Sequence, residues 1–304
     1  MTKPTEKVSI LHVMTPAKNA SPFDVNMAFD AGFDKIVPYT NVLLNEVAGL
    51  TQDAIFSRSP SGIKREGIFI GGRDIDLAMQ MLNTAKKAMF TPFECSIFAD
   101  PSGAFTTAAA MVAKVEFHLK KQCGESLSGK TLSVFGATGP VGGCAAIIAA
   151  LQGAHVQLVA HKSMAEVEEK TLHWNSLYKV NLRVVDGKTD LSKEAVLAKS
   201  DLVLCAAAAG VEVLSKSQLS AAKQLKIVAD VNAVPPLGVA DVGVSDDGVP
   251  LSHGAFGIGA LSIGQLKYAT QHQLLKQMLS EEKPQKLDFM AAFILAQSLS
   301  QNSF

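Results

Sequence analysis

The chain has no long apolar run, no excess of either charge, few aromatic residues and few cysteines. No stretch of its 304 residues is apolar enough for a secretory core or a membrane span, so a soluble cytoplasmic protein is expected. Lysine plus arginine number 28, and aspartate plus glutamate also 28, leaving no bulk charge to draw nucleic acid or an anionic membrane. Cys95, Cys123, Cys144 and Cys205 form no C-x-x-C pair and read as reduced thiols. The histidines show no ligand spacing such as H-x-x-x-H, so no metal is expected, and the single tryptophan, Trp174, reads as core. No G-x-S-x-G elbow, internal repeat or low-complexity tract is present. An apolar fraction of 48% supplies ample core, and the length suits two domains of about 150 residues each.

The most organised stretch is KTLSVFGATGPVGGCAAIIAALQGAHVQLVAHK, residues 130–162. Residues 131–135 are the short apolar run of a buried parallel strand. A G-x-x-G-x-x-G turn follows, then a small-residue helix, then an alternating second strand at residues 155–160. That is a βαβ unit, whose glycines let the backbone approach a pyrophosphate while the helix start attracts it. Gly136, Thr138, Gly139, Pro140, Val141 and Gly142 are the expected cofactor contacts, with Pro140 in the first helical turn, where its missing N–H costs nothing. The second strand ends in Ala160, His161, Lys162 and Ser163, with no carboxylate before Glu166. A basic end favours NADP over NAD, because it accommodates the 2′-phosphate where an acidic residue would bind the ribose 2′-OH. The competing reading makes Lys162 an ordinary solvated lysine.

Alternating patterns on both sides imply α/β layers. Strands are expected at residues 8–14, 35–39, 55–58, 67–70 and 95–99, and helices at 22–29, 45–50 and 75–89. A small N-terminal α/β domain then ends near Ser102, and a long helix at 106–121 leads into a doubly wound Rossmann domain covering 103–304. There the pattern gives helices at 165–178, 192–198 and 217–223, and strands at 182–185, 202–205 and 227–230. Residues 231–264 look irregular. Ser262 and Gln265 match a capping box opening a helix to about residue 279, and a last helix spans 287–299, packing back on the first domain.

Ligands of open α/β sheets bind beyond the carboxyl ends of the strands. This rule collects Asp100 to Gly103, the glycine turn, Ala206 to Gly210 with Ala207, and Asp230 to Ala233, and it makes a cleft between the domains the expected substrate site. Asp100, Thr106 and Thr107 either face that substrate or serve as turn and cap. Asn232, before Pro235-Pro236, is either aimed at the nicotinamide or part of a plain loop. Lys267 is either an ammonium in the cleft or a surface lysine. Gly71-Gly72 marks a second anion site or a simple turn. Four residues after Tyr39, Tyr178 and Tyr268 come Leu43, Leu182 and His272, so the Y-x-x-x-K pair of short-chain dehydrogenases is absent. The similarly spaced pair of bifunctional methylenetetrahydrofolate dehydrogenase–cyclohydrolases is absent too.

The segments SPFDVNMAFDAGFDKIVPY, IFIGG, FADPSGAFTTAAA, FGATGPVG, DVNAVPPLG and IGALSIGQLKY together resemble NAD(P)-dependent methylenetetrahydromethanopterin dehydrogenases across nearly the whole chain. The resemblance implies a pterin-binding N-terminal domain, a C-terminal Rossmann domain and a homotrimer. It implies oxidation of the one-carbon bridge of methylenetetrahydromethanopterin to methenyl, a step of one-carbon metabolism, with NADP as cofactor and NAD left open. Lys267 matches the family's active-site lysine, with Asp100 as a further catalytic candidate. The bridge carbon lies between two nitrogens whose lone pairs stabilise the cation left by hydride departure, so neither a general base nor a metal is needed. Two rivals are a shikimate-type dehydrogenase, which needs a lysine–aspartate pair on substrate hydroxyls, and a non-enzymatic NADP-sensing module.

Overall fold

A computed structural model describes residues 8–280 and 283–302; the polar start, residues 1–7, lies outside them. The chain divides into two compact units, one of residues 1–106 with 268–292, the other of residues 107–267 with 293–304. The tail, expected to belong wholly to the second domain, is therefore shared between the two.

The first unit is built on β1 (Ile10–Met14), α1 (Pro22–Asp30), β2 (Lys35–Tyr39), α2 (Val47–Phe56), β3 (Glu66–Ile70), α3 (Ile75–Ala88) and β4 (Ser96–Ala99). Its sheet is parallel, in the order β12-β4-β3-β1-β2, where β12 is Lys286–Leu287. Every residue of β3 and β4 is buried, including Glu66 and Ser96 at their starts, and apolar residues fill the rest of each strand apart from Gly67. Helices α1 and α3 start on side-chain caps: the Ser21 hydroxyl accepts from the Asp24 N–H at 3.4 Å, and the Asp74 carboxylate from Asp76 and Leu77 N–H at 2.9 and 3.0 Å.

Two expectations fail here. The strand at residues 55–58 does not form, because Thr51, Ala54 and Ile55 are buried at helical spacing and carry α2 through Phe56. The helix expected at 45–50 is a 3₁₀ turn, Leu44–Glu46, running into that same α2. A further 3₁₀ turn, Pro101–Gly103, leads into α4 (Ala104–Cys123), which contributes residues to both units.

The second unit contains β5 (Thr131–Phe135), α5 (Pro140–Leu151), β6 (His155–Ala160), α6 (Met164–Tyr178), β7 (Arg183–Asp186), α7 (Asp190–Leu197), β8 (Leu202–Cys205), α8 (Lys216–Ala221) and β9 (Ile227–Asp230). Beyond these lie β10 (Asp247–Pro250) and β11 (Phe256–Ile258), and then α9 (Ala260–Ser280) and α10 (Phe289–Asn302), each of which is divided between the two units. The sheet order is β10-β11-β9-β8-β5-β6-β7, parallel apart from β10. The chain winds one way from β5 to β7 and the other from β8 outward. The switch point thus falls between β5 and β8, where a doubly wound sheet opens its ligand crevice. The core on one side of this sheet runs from Phe135 and Val159 through Leu197, Val203 and Leu219 to Val239.

The stretch 231–264 is less irregular than its glycines and prolines suggest, since β10 and β11 form a bulged antiparallel pair within it. The Ser262 capping box is also not formed: α9 begins at Ala260, and Ser262 is buried in its first turn.

Candidate functional site

β5 ends at Phe135 and the chain turns sharply through Gly136, whose φ of +79° lies in the left-handed region that favours glycine. Space enforces the same choice. A Cβ on Gly136 would sit 2.6 Å from the Ala207 nitrogen, which brings the β8 end against the loop. A Cβ on Gly142 would lie 3.0 Å from the Gly136 carbonyl carbon and closer still to its oxygen. Gly139 is the N-cap of α5, its N–H donating to the Gly136 carbonyl at 3.1 Å, and Pro140 follows in the first turn. The loop is folded tightly on itself, and the first-turn N–H groups of α5, which have no partner within the helix, are the donors an anion at this helix start would meet.

The loop is held from outside by α6. The Lys170 ammonium donates to the Thr138 carbonyl at 2.9 Å and lies 5.9 Å from the centre of the Trp174 ring. Trp174 is 2% exposed and packs where a side chain on Gly143 would stand, 2.5 Å from that position. Neither contact is visible in the glycine spacing, although Lys170 and Trp174, four apart, share a helix face. A cavity of about 230 Å³ is lined by Gly136, Ala137, Thr138, Val159, His161, Lys162, Ser163, Glu166 and Val167. It joins the glycine loop to the end of β6, the two places expected to hold a dinucleotide's pyrophosphate and ribose. The tight loop and this cavity fit such a cofactor. Val141 is half-buried beside Gly142 on the first turn of α5, and Ala207 is half-buried just past β8.

At the end of β9, Asp230 organises the next loop. Its carboxylate accepts from the Asn232 N–H at 3.0 Å and the Val239 N–H at 3.1 Å. Burial pushes the Asp230 carboxyl up, while these N–H groups pull it back. The same burial, with Asp230 alongside, pushes the Cys205 thiol up to about 12, marking a core thiol. Asn232 is 5% exposed, its amide donating to the Pro236 carbonyl at 3.1 Å and accepting from the Val234 N–H at 3.0 Å. Its side chain shapes its own loop.

In the first unit, Asp100 ends β4 fully buried. One oxygen accepts from the Phe105 and Thr106 N–H groups at 3.0 and 3.1 Å, and the other from the Thr106 hydroxyl at 2.6 Å. Asp100 and Thr106 together fasten the start of α4, which begins at Ala104, so Thr107 lies half-buried inside the helix and does not cap it. Ser102 adopts φ +52° and donates its hydroxyl to the Gly72 carbonyl at 2.8 Å, tying two strand-end loops together. Past Gly71-Gly72, the Asp74 carboxylate already occupies the start of α3, which makes that turn a simple βα connection. Lys267 lies two turns into α9, half-buried on the face that carries buried Ile263 and Gln271. Among the described residues no group of three or more histidine, cysteine or acidic side chains is placed to hold a metal. Nor is any described helix long and apolar enough to cross a membrane.

Residues 22–102 match the family described as methylene-tetrahydromethanopterin dehydrogenase, N-terminal. The chain is also 45% identical over 289 residues to an NAD(P)-dependent methylenetetrahydromethanopterin dehydrogenase of Methylorubrum extorquens, covering 95% of this chain and 97% of the relative. The chain belongs to this dehydrogenase family. A second relative from the same organism, described as bifunctional protein MdtA, is 32% identical over 81% of this chain and 84% of its own. Among solved structures, a 5-ketofructose reductase of Gluconobacter superposes with a TM-score of 0.54 at 16% identity, over 96% of this chain and 99% of that one. Shikimate 5-dehydrogenase of Listeria monocytogenes gives 0.52 at 17%, over 89% and 92%. At such identities these neighbours establish the α/β, Rossmann-type fold alone.

Proposed function

We infer that this family member oxidises methylenetetrahydromethanopterin to the methenyl form within one-carbon metabolism, as a cytoplasmic homotrimer, using NADP and also NAD. The observation that carries this reading is the near full-length identity to the Methylorubrum enzyme, joined to a glycine loop closed too tightly for any side chain at Gly136 or Gly142. When bound, the nicotinamide supplies the hydride acceptor. Gly139, Pro140 and Val141 at the start of α5 hold the pyrophosphate, with Thr138 kept in place by Lys170. His161 and Lys162 face the adenosine ribose from the end of β6.

The strand ends of the first unit hold the pterin. Asp100 and Thr106 act there by fixing the backbone from Pro101 to Phe105, and Asn232 by fixing the loop after β9. That is a positioning role, in place of the acid–base chemistry that Asp100 as a catalytic candidate would supply. Departure of hydride leaves a cation shared by two nitrogens and releases no proton, so rigid placement is what the reaction asks of the protein. A cation beside that carbon would oppose the step, so the Lys267 ammonium reaches the pterin carbonyl and orients the ring. The test is cofactor reduction with the pterin and, in parallel, with hydroxy acids. Reduction with the pterin alone is expected, and Lys267→Ala should cut turnover at least about tenfold with cofactor affinity kept. Reduction with hydroxy acids favours the shikimate-type alternative, and cofactor binding without any reduction favours the sensing module.

A further inference from the structure

The cavity beside the glycine loop is lined by groups of both charge signs. His161 and Lys162 reach it from the end of β6, and so does Glu166 from the first turn of α6. In the sequence Glu166 lies too far past β6 to stand for the strand-end carboxylate that reads a ribose. The fold removes that distance, because the chain turns directly into α6 on the Ser163 cap, whose hydroxyl accepts from the Glu166 N–H at 3.2 Å.

The helix is then locked in rotation. Val167 is buried, Trp174 is wedged against Gly143, and Lys170 is bonded to the Thr138 carbonyl. Glu166 precedes Lys170 by four residues and so shares the face that Lys170 turns toward the loop. Among the described residues its carboxylate has no hydrogen-bond or ion-pair partner. In particular it does not return to the cap N–H as the Ser192 hydroxyl does at the start of α7. It is a committed position with an uncommitted charge.

Resting on the dehydrogenase reading, we propose that Glu166 is the second half of a two-way cofactor selector, accepting the ribose 2′-OH of NAD while His161 and Lys162 serve the 2′-phosphate of NADP. The two halves oppose each other. A carboxylate in the cavity repels the phosphate that the lysine attracts, and the lysine adds nothing for a neutral hydroxyl. Neither cofactor is held as tightly as in a site of one sign, and both are used. Glu168 and Glu169 are exposed on the same helix but do not line the cavity, so they take no part.

The test is calorimetric titration of the full chain with NADP⁺ and with NAD⁺, without pterin. E166Q keeps the shape, removes the charge and sits on the surface, where it leaves the fold intact. It should tighten NADP⁺ and weaken NAD⁺ by about threefold or more each, moving the ratio of dissociation constants about tenfold. Lys162→Ala should move the ratio the other way, and E169Q should not move it. A ratio unchanged in E166Q, or shifted as much by E169Q, overturns the assignment. If the unaltered chain binds neither cofactor, the selector and the dehydrogenase reading both fall. Binding with the predicted shifts, but no hydride transfer with the pterin, overturns only the latter.

Discussion

Two glycines three residues apart, Gly139 and Gly142, should fail in different ways when changed to alanine. At Gly142 the new methyl would lie 3.0 Å from the Gly136 carbonyl carbon and 3.2 Å from the Ala137 Cα, and nearer still to the Gly136 oxygen. All of these are backbone atoms, and Gly136 is itself pressed against Ala206 and Ala207, so nothing can give without shifting the loop from β5. Overpacking of that kind costs about 1–3 kcal/mol. In a unit of this size that lowers the unfolding midpoint by about 2–12 °C, and the distorted loop loses its cofactor as well. At Gly139 the methyl would stand 3.3 Å from the Gly136 oxygen and 3.9 Å from that of Ala206, with no positive φ to relieve. Stability should fall by about 1 kcal/mol or less, the cost of an alanine at an N-cap. The methyl instead occupies the helix cap, where the pyrophosphate approaches, so cofactor affinity should fall about tenfold or more. Thermal unfolding without ligand, followed by cofactor titration of each variant, separates the two losses. A Gly142→Ala protein that melts and binds like the parent would refute the packing argument. A Gly139→Ala protein that loses stability but not affinity would place the pyrophosphate elsewhere.

Three further outcomes follow from the geometry. Asp100→Ala should destabilise the chain by about 1–3 kcal/mol in urea unfolding, since two buried N–H groups and the Thr106 hydroxyl lose their acceptor; a loss of turnover at unchanged stability would return Asp100 to the chemistry. The Asp241 carboxyl is held down to about 2 from 3.8, chiefly by the Ser252 hydroxyl at 2.7 Å and then by Lys216 at 2.9 Å. A depressed folded value stabilises above the unfolded one, so this contribution is complete above about pH 4 and lost as pH falls toward 2. Asp241→Asn should therefore flatten acid unfolding across that window, and an unaltered acid profile would rule the contribution out. Finally, the methenyl product should accumulate at one per reduced cofactor, because no tyrosine here has a lysine four residues on to direct hydrolysis. With a relative described as bifunctional, enzyme-dependent decay of added methenyl pterin above the buffer rate is the result that would defeat this.

The central strands of the second sheet could be read from sequence because apolar residues dominate them, with polar ones confined to Ser133, Gln157 and the strand ends. Leu202–Cys205 and Ile227–Asp230 have the expected bounds, as do Thr131–Phe135 and His155–Ala160. What misled was local pattern without its packing. Ile55 looks like the start of a strand until Thr51 and Ala54 are seen on the same buried face. Ser262 has the spacing of a cap, but the chain is already helical at Ala260. β10 and β11 are short, bulged, and broken by Gly248, Pro250 and Gly257, so neither carries enough alternation to be seen. Within the site the glycine loop was legible because backbone geometry restricts it to glycine. Glu166, Lys170 and Trp174 were not, because their role depends on how α6 is rotated.

The polar residues that looked ambiguous share one explanation. Asp100, Asp230 and Asn232 sit at or just beyond the carboxyl ends of strands, where a ligand-facing residue would also sit, and Thr106 lies in the first turn of α4, bonded to Asp100. Each is buried, and each has hydrogen bonds to the backbone of its own loop or helix start. Loops that leave a sheet buried must satisfy their N–H and carbonyl groups, and a short polar side chain at the strand end does so over the shortest reach. Their commitment to backbone suits a reaction that moves a hydride and no proton. Such a site gains more from loops held still than from groups that titrate. Glu166 is different: its place on α6 is fixed, but its exposed carboxylate has no partner among the described residues, and that leaves it available to discriminate between cofactors.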